Sequence, residues 1–315
     1  MPDAVSMGEV MVQFNSLTKG PLRHVTYFEK HAAGAEANFT VGVVRMGLTA
    51  GLISRVGDDE FGRYILSILR GEGVDVSRVI TDDEAPTGIY FVQRGYPIPG
   101  KSLSIYYRKG SAASRLSPQD LDHQYLSRSK VFHITGITPA LSETARAATY
   151  RAVKMAKEAH VKVSLDTNIR PRLWDVEEAR KILLPLVKQT DILLTDPQDS
   201  EILIGVSDPE KASKTFLKMG PSITVLKMGR KGSLATTIDK TIRQDTFEAL
   251  VEDVTGAGDA FAACFISSLL KGWSLKKALE VANVAGSLVV TVRGDVENIP
   301  TMQDIDKFLE SLKKG

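Results

Sequence analysis

The sequence predicts an α/β protein: a mostly parallel central sheet covered by helices on both faces, with a small β-rich lid. Three observations carry this expectation. From about residue 117 onward, short apolar runs such as VFHITG (131–136) and DILLT (191–195) alternate with helical stretches, the pattern of strands buried on both faces. The first hundred residues are richer in strand-forming runs than the rest. Two of those runs flank the Pro/Gly turn YPIPGK (96–101), which is a hairpin pattern.

Taken in order, VSMGEVMVQF (5–14) reads as one strand, followed by a helix from about Glu36 to Met46 and a strand at AGLISRVG (50–57). A helix at 60–70 precedes the hairpin strands GIYFVQRG (88–95) and LSIYYRKG (103–110). Ser117-Pro118 sets a capping residue before a proline, a helix start. Strand 131–136, helix 143–159, strand 161–168, helix 176–189 and strand 191–195 then alternate, and Asp208-Pro209 opens another helix. SITVLKMG (222–229), SLATTI (233–238) and TIRQDTF (241–247) read as strands, and 258–271, 274–291 and 302–313 as helices. With no repeat or long linker, residues 1–315 read as one domain, its lid drawn from segments near 10–30 and 86–110.

Composition narrows the function. The 315 residues are 43% hydrophobic and 25% charged, with a formal net charge of +2. That excludes a disordered chain and lacks the basic excess of a nucleic-acid binder. Cys264 is the single cysteine and lies in an apolar run, a buried small hydrophobe. The histidines at 24, 31, 123, 133 and 160 have no metal-ligand spacing, so no protein-held metal is expected. No window approaches a membrane span and no basic-then-apolar leader stands at the start, so a cytoplasmic protein is expected.

Two segments compete as phosphate binders. Gly95–Ser102 matches G-x-x-x-x-G-K-S literally. Pro97 and Pro99 lack N–H groups, and strand rather than helix follows. It therefore reads as a hairpin tip, with Lys101 still free to meet an anion. Asp253-Val254-Thr255-Gly256-Ala257-Gly258-Asp259 is the stronger candidate. Its glycines admit close backbone approach, and the helix starting there aims its unpaired N–H groups at one point. Two acids beside an anion site fit a proton acceptor and nearby Mg²⁺. Phe261 stands where a dinucleotide fingerprint needs glycine, which argues against a dehydrogenase.

G-A-G-D after D-x-T, opening a late helix, resembles the second signature of the PfkB/ribokinase family of sugar kinases. Gly34-Ala35-Glu36-Ala37-Asn38 resembles the first, with Ala33 in place of the usual leading glycine. The resemblance spans nearly the whole chain and implies a ribokinase-like three-layer α/β/α sandwich. Segments 20–38, 87–99, 106–118, 164–174 and 291–295 are most similar to those of 2-keto-3-deoxygluconate kinases. Such enzymes move the γ-phosphoryl of ATP to a sugar-acid hydroxyl with Mg²⁺. The alternatives are a family kinase for a neutral sugar or nucleoside, of fructokinase or ribokinase type, and a catalytically inactive ligand sensor.

The resemblance also implies roles. Asp259 would take the proton of the attacked hydroxyl, and the amides of Gly256, Ala257 and Gly258 would stabilise the migrating group. Gly34, Asn38, Tyr90, Tyr106 and Asp295 would line the sugar. Arg108 would bind the acid's carboxylate through its fork. Asn168 and Arg170 follow a strand, where ligands bind in parallel sheets, and Arg170 would neutralise phosphate. Lys227, Gly229, Arg230, Gly232 and Asn283 would line the nucleotide. The lid is expected to close over the sugar, and copies of the chain to associate lid to lid.

Overall fold

A computed structural model describes residues 1–313. In chain order the elements are β1 (Ala4–Met7), β2 (Met11–Ser16), β3 (Phe28–Ala33), α1 (Ala35–Arg45), β4 (Ala50–Gly57), α2 (Glu60–Gly71), β5 (Asp75–Asp82), β6 (Ile89–Arg94), β7 (Ser102–Tyr107), α3 (His123–Ser127), β8 (Val131–Thr135), α4 (Glu143–Glu158) and β9 (Lys162–Asp166). There follow α5 (Val176–Val187), β10 (Ile192–Thr195), α6 (Pro197–Ile204), α7 (Pro209–Leu217), β11 (Ile223–Lys227), β12 (Ser233–Thr236), β13 (Thr241–Gln244), α8 (Ala257–Leu270), α9 (Leu275–Val289) and α10 (Met302–Leu312).

The main sheet has the order β13-β12-β11-β10-β9-β8-β1-β4-β5. From β11 to β5 it is parallel; β12 and β13 return antiparallel at one edge. Alternate side chains of these strands feed two cores. Ala4, Leu52, Val131 and Leu194 pack against Phe39, Phe265 and Val284 of α1, α8 and α9. Val5, Ile53, Phe132 and Leu193 pack against Ala152, Leu183 and Phe216 of α4, α5 and α7. Period-two burial on both faces is why these strands are apolar throughout. Cys264 lies fully buried in the first core, and burial pushes its thiol up to about 12.

The lid is a separate sheet, β3-β2-β6-β7, antiparallel except where β2 runs parallel to β6. Its inner face carries Gln13, Asn15, Tyr90 and Tyr106. Its outer face carries Phe14 stacked on Phe91 at 5.2 Å, with Phe28 and Tyr107 edge-on to Phe91. The G-x-x-x-x-G-K-S segment is the tip between β6 and β7, closed by the Gly95 N–H on the Lys101 carbonyl at 2.9 Å.

Three local readings need correction. Residues 5–14 are two strands in two different sheets. The chain changes sheet at Gly8, where a Cβ would lie 2.3 Å from the Glu36 carboxyl carbon. Continuous apolarity in sequence cannot reveal that crossing, since both halves are buried. Ser117-Pro118 starts only a single 3₁₀ turn, Pro118–Asp120, and the helix proper begins at His123. Strands β3 and β5 and helix α6 are additional elements, β5 being too polar to read as a strand in isolation.

Asp59 joins core to lid. Its carboxylate caps α2 through the Gly62 N–H at 2.8 Å, and accepts from the Thr87 N–H and hydroxyl, both at 2.8 Å. Loss of the cap and an unpaired Thr87 amide predict that Asp59→Ala costs about 2–3 kcal/mol. Urea unfolding checks this; an unchanged midpoint would show that the cap is dispensable.

Candidate active site

The carboxyl ends of the parallel strands converge on one cleft, as the topology of such sheets requires. Glu9 follows β1, Asp166 ends β9, Asn168 and Arg170 follow it, Asp196 follows β10 and Lys227 ends β11; all line a cavity of about 750 Å³. The lid covers it with Tyr90, Tyr106, Arg108 and Lys101, and the start of α8 closes the far wall with Gly256, Gly258 and Asp259.

The 253–259 loop is built by two devices. Gly256 caps α8 in the left-handed region (φ 77°), which favours glycine. A Cβ there would also meet Asp295 Oδ1 at 3.1 Å and Asn38 Nδ2 at 3.3 Å. Asp253 is buried and accepts from the Thr255 N–H at 3.0 Å and its hydroxyl at 2.7 Å, which fixes the turn before the helix. The Ala257 N–H makes only a long bond, 3.4 Å, to the Val254 carbonyl.

Asp259 stands in the first turn of α8. Its Oδ2 accepts from Asn38 Nδ2 at 2.9 Å, and Asn168 Nδ2 lies 3.5 Å from Oδ1. Asn168 holds a left-handed backbone (φ 36°) at the strand end to reach it. Burial pushes the Asp259 carboxyl above its ordinary range, against the pull of Asn38, and neighbouring Asp166 adds to the rise. It is thus a better base than a free aspartate. Asn38 also donates to Asp295, which burial and the Asp259 charge push up to about 7. Tyr90 donates to Asp295 at 2.8 Å, and Tyr106 stacks on Tyr90 at 5.0 Å. Gly34 begins α1 at φ 126°, with its α-carbon pressed to the Glu9 carbonyl: a Cβ would lie 2.5 Å from that oxygen.

Arg108 lies just past β7. It is ion-paired to the wholly buried Glu9, whose other oxygen accepts from Ser111. Its guanidinium sits over the Tyr106 ring at 5.3 Å, and its buried Nε has no hydrogen-bond partner. The fork expected to be free is therefore half engaged by the protein. Arg170 is exposed at the rim. Lys227 is ion-paired to Asp166; burial opposes its charge, but the Asp166 carboxylate outweighs burial and holds its pKa above the usual value.

A second cavity of about 830 Å³ adjoins the first and shares Lys227, Gly229, Val251, Val254 and Gly258 with it. Gly229, Arg230, Gly232, Phe247, Phe261 and Asn283 are among its walls. The Asn283 amide is spent inside the protein, donating to Ser233 Oγ at 2.8 Å and to the Leu279 carbonyl at 2.9 Å. It presents no free donor to a base.

All the candidate residues thus meet in one pair of cavities. Glu9, Glu36, Asp166 and Asp196 join them without having been singled out in the sequence. For Asp166 and Asp196 the signal was the end of a predicted strand. For Glu9 and Glu36 there was none, because a lone acid in an apolar run reads as surface. Glu36 is buried and accepts from the hydroxyls of Thr135 at 2.6 Å and Thr138 at 3.0 Å, and burial pushes it up to about 7. Among the described residues, no three His, Cys, Asp or Glu side chains are grouped to hold a metal ion. Among the same residues, no helix is long and apolar enough to cross a membrane.

Residues 1–302 match the pfkB family carbohydrate kinase model. The chain belongs to the pfkB family of carbohydrate kinases. A 2-dehydro-3-deoxygluconokinase of Thermoproteus tenax is 47% identical over 99% of this chain and 95% of its own. One of Bacillus subtilis is 36% identical over 98% and 96%. A 5-dehydro-2-deoxygluconokinase of Geobacillus thermodenitrificans is 30% identical over 99% and 94%. Among solved structures, a provisionally named ribokinase II of E. coli, in complex with ATP and Mg²⁺, superposes with TM-score 0.92 at 29% identity, covering 99% of this chain and 100% of that one. A 2-dehydro-3-deoxygluconokinase of Thermotoga maritima gives 0.89 at 26% identity over 98% and 100%. The fold is ribokinase-like.

The Glu36 environment makes a pH prediction. The folded chain keeps the Glu36 proton to about pH 7, whereas the unfolded carboxyl loses it near 4.5. Stability from this group is therefore full at low pH and falls as pH rises through that window. Glu36→Gln should stabilise the protein relative to wild type by up to about 3 kcal/mol more at pH 8 than at pH 4.5. Denaturant unfolding at both pH values reads the difference; parallel behaviour of the two proteins would refute it.

Proposed function

We propose that this kinase transfers the γ-phosphoryl of ATP to a hydroxyl of 2-keto-3-deoxygluconate, the galactonate epimer being a second substrate. The observation that carries the reading is the junction of the two cavities at Gly258, directly beside the half-buried Asp259. A mainly apolar slot on one side suits a nucleotide base; a polar, arginine-lined chamber on the other suits a sugar acid. The names of the relatives from Thermoproteus tenax, Bacillus subtilis and Geobacillus thermodenitrificans support it, since these three are kinases of keto-deoxy sugar acids. The runner-up, a neutral-sugar kinase, leaves the Nε of Arg108, a guanidinium already ion-paired to Glu9, without a hydrogen-bond partner.

In this reading the acceptor hydroxyl oxygen forms the new bond to the γ-phosphorus as its bond to the β-bridging oxygen breaks, and ADP leaves. Asp259 takes the hydroxyl proton. Asn38 holds the Asp259 carboxylate in place, and the first amides of α8 face the migrating group. Arg170 at the rim balances phosphate charge. Gly34, Asn38 and Asp295 form the sugar floor, Tyr90 and Tyr106 face the sugar from the lid, and Arg108 offers its unpartnered Nε to the substrate carboxylate. Gly229, Arg230, Gly232 and Asn283 wall the nucleotide. The cleft fits a magnesium ion arriving with ATP: Asp196 lines it on the side of Lys227, and phosphate oxygens and water complete such a shell. When bound, the ion neutralises charge on the phosphates.

The lid excludes water when it closes, which keeps the phosphoryl group from hydrolysis. Phe61 of α2 covers Phe14, and the remaining outer face, with Phe28, Phe91 and the exposed Tyr107, is apolar and suits pairing with a second copy of the chain.

Two variants test the reading by coupled ADP release with keto-deoxygluconate, ATP and Mg²⁺. Asp259→Asn should lower kcat by roughly 10²–10⁴; undiminished turnover would remove Asp259 from the chemistry. Arg108→Lys keeps a charge beside Glu9 and loses the fork, so KM for the sugar acid should rise on the order of tenfold with KM for ATP unchanged. A KM unmoved for the acid would exclude Arg108 as the carboxylate receptor.

A further inference from the structure

Strand β2 places two buried amide side chains behind the site. Asn15 Nδ2 donates to Asp253 Oδ2 at 3.2 Å and lies 3.3 Å from Gln13 Oε1. Gln13 Nε2 donates to the Tyr90 hydroxyl at 2.6 Å, Tyr90 donates to Asp295, and Asn38 donates to both Asp295 and Asp259. An unbroken run of hydrogen bonds thus leaves the anion loop at Asp253, crosses the lid, and returns to the loop at Asp259. Neither Asn15 nor Gln13 lines the sugar or the nucleotide cavity.

The two oxygens of Asp253 divide the work. Oδ1 holds the N–H and hydroxyl of Thr255 and so sets the turn into Gly256. Oδ2 faces the lid, where Asn15 supplies its side-chain donor. A buried carboxylate short of donors reorients to find others, and any rotation of Asp253 carries Thr255 and the first amides of α8 with it.

We propose that Asn15 is a positioning residue for phosphoryl transfer. By holding Asp253 from the lid, it fixes the aim of the α8 amides and makes the grip on phosphate depend on the lid being seated. This rests on the reading of 253–259 as the transfer loop. It adds a function for the lid beyond covering the sugar: the strand that roofs one substrate also shapes the receptor for the other.

The test is steady-state kinetics on the full chain, with keto-deoxygluconate and ATP each varied, for Asn15→Ala and the nearly isosteric Asn15→Asp. A displaced amide set lowers kcat on the order of 10–100-fold, while KM for both substrates stays within about threefold. In N15D the new carboxyl must be protonated to donate to Asp253, so part of the lost kcat should return, relative to wild type, as pH falls from 8 to 5.5. A residue that merely fills space gives neither the split nor the acid rescue. Variants that melt as wild type and keep wild-type kcat overturn the proposal, as does a rise in KM with kcat intact. Should both fail to fold, Asn15→Ser, which keeps a short donor, is read by the same criteria. An inactive Asp259→Asn beside fully active Asn15 variants refutes this inference alone; an active Asp259→Asn refutes the reading of the loop itself.

Discussion

The site depends on two carboxylates kept side by side, Asp295 buried and Asp259 half-buried. Asp259 and Asp295 share one donor, the Asn38 amide; burial raises the pKa of both, and the Asp259 charge raises that of Asp295 further. Such a pair is costly unless something positive or proton-donating faces it. The start of α8 supplies partial positive charge, Tyr90 supplies a hydroxyl, and Lys227 approaches from the next strand end. Much of the surrounding architecture can be understood as meeting that demand. Gly256 lets the helix begin close enough, because its left-handed backbone favours glycine and a Cβ there would crowd Asp295 and Asn38.

The same constraint explains why one molecule needs two sheets. The parallel sheet brings Asp166, Asp196 and Lys227 to one edge by topology alone. It cannot roof them, since its strand ends all point the same way. The lid meets that need with a sheet whose inner face is polar and whose outer face is aromatic. Glu9 and Gly8 mark the crossing between them, and the Glu9–Arg108 pair ties the two at the cleft. Arg108 is thus a structural cross-link that also lines the cleft. This is why its charge reaches the chamber already partly matched.

Much of this was legible in the sequence where chemistry and local geometry coincide. The 253–259 loop could be read because glycine freedom, helix start and acid spacing lie within seven consecutive positions. The hairpin tip at 95–102 could be told from a phosphate loop because proline removes the amides such a loop needs. The Arg108–Glu9 pair, the Glu36–Thr135–Thr138 cluster and the Asn15–Asp253 contact could not be read, because each joins residues about a hundred or more positions apart. The strand at 5–14 failed for a related reason: apolar residues that serve two sheets look the same as those that serve one.

By itself, then, the sequence determined the alternation of strands and helices and the glycine-led helix start at 256–258. These follow from periodicity and from backbone freedom, which are local properties. The tertiary structure alone decided which acids are buried together, which guanidinium is already paired and where the lid touches the loop. Those are matters of distance and solvent exclusion between remote segments, and they set the proton affinities on which the chemistry turns.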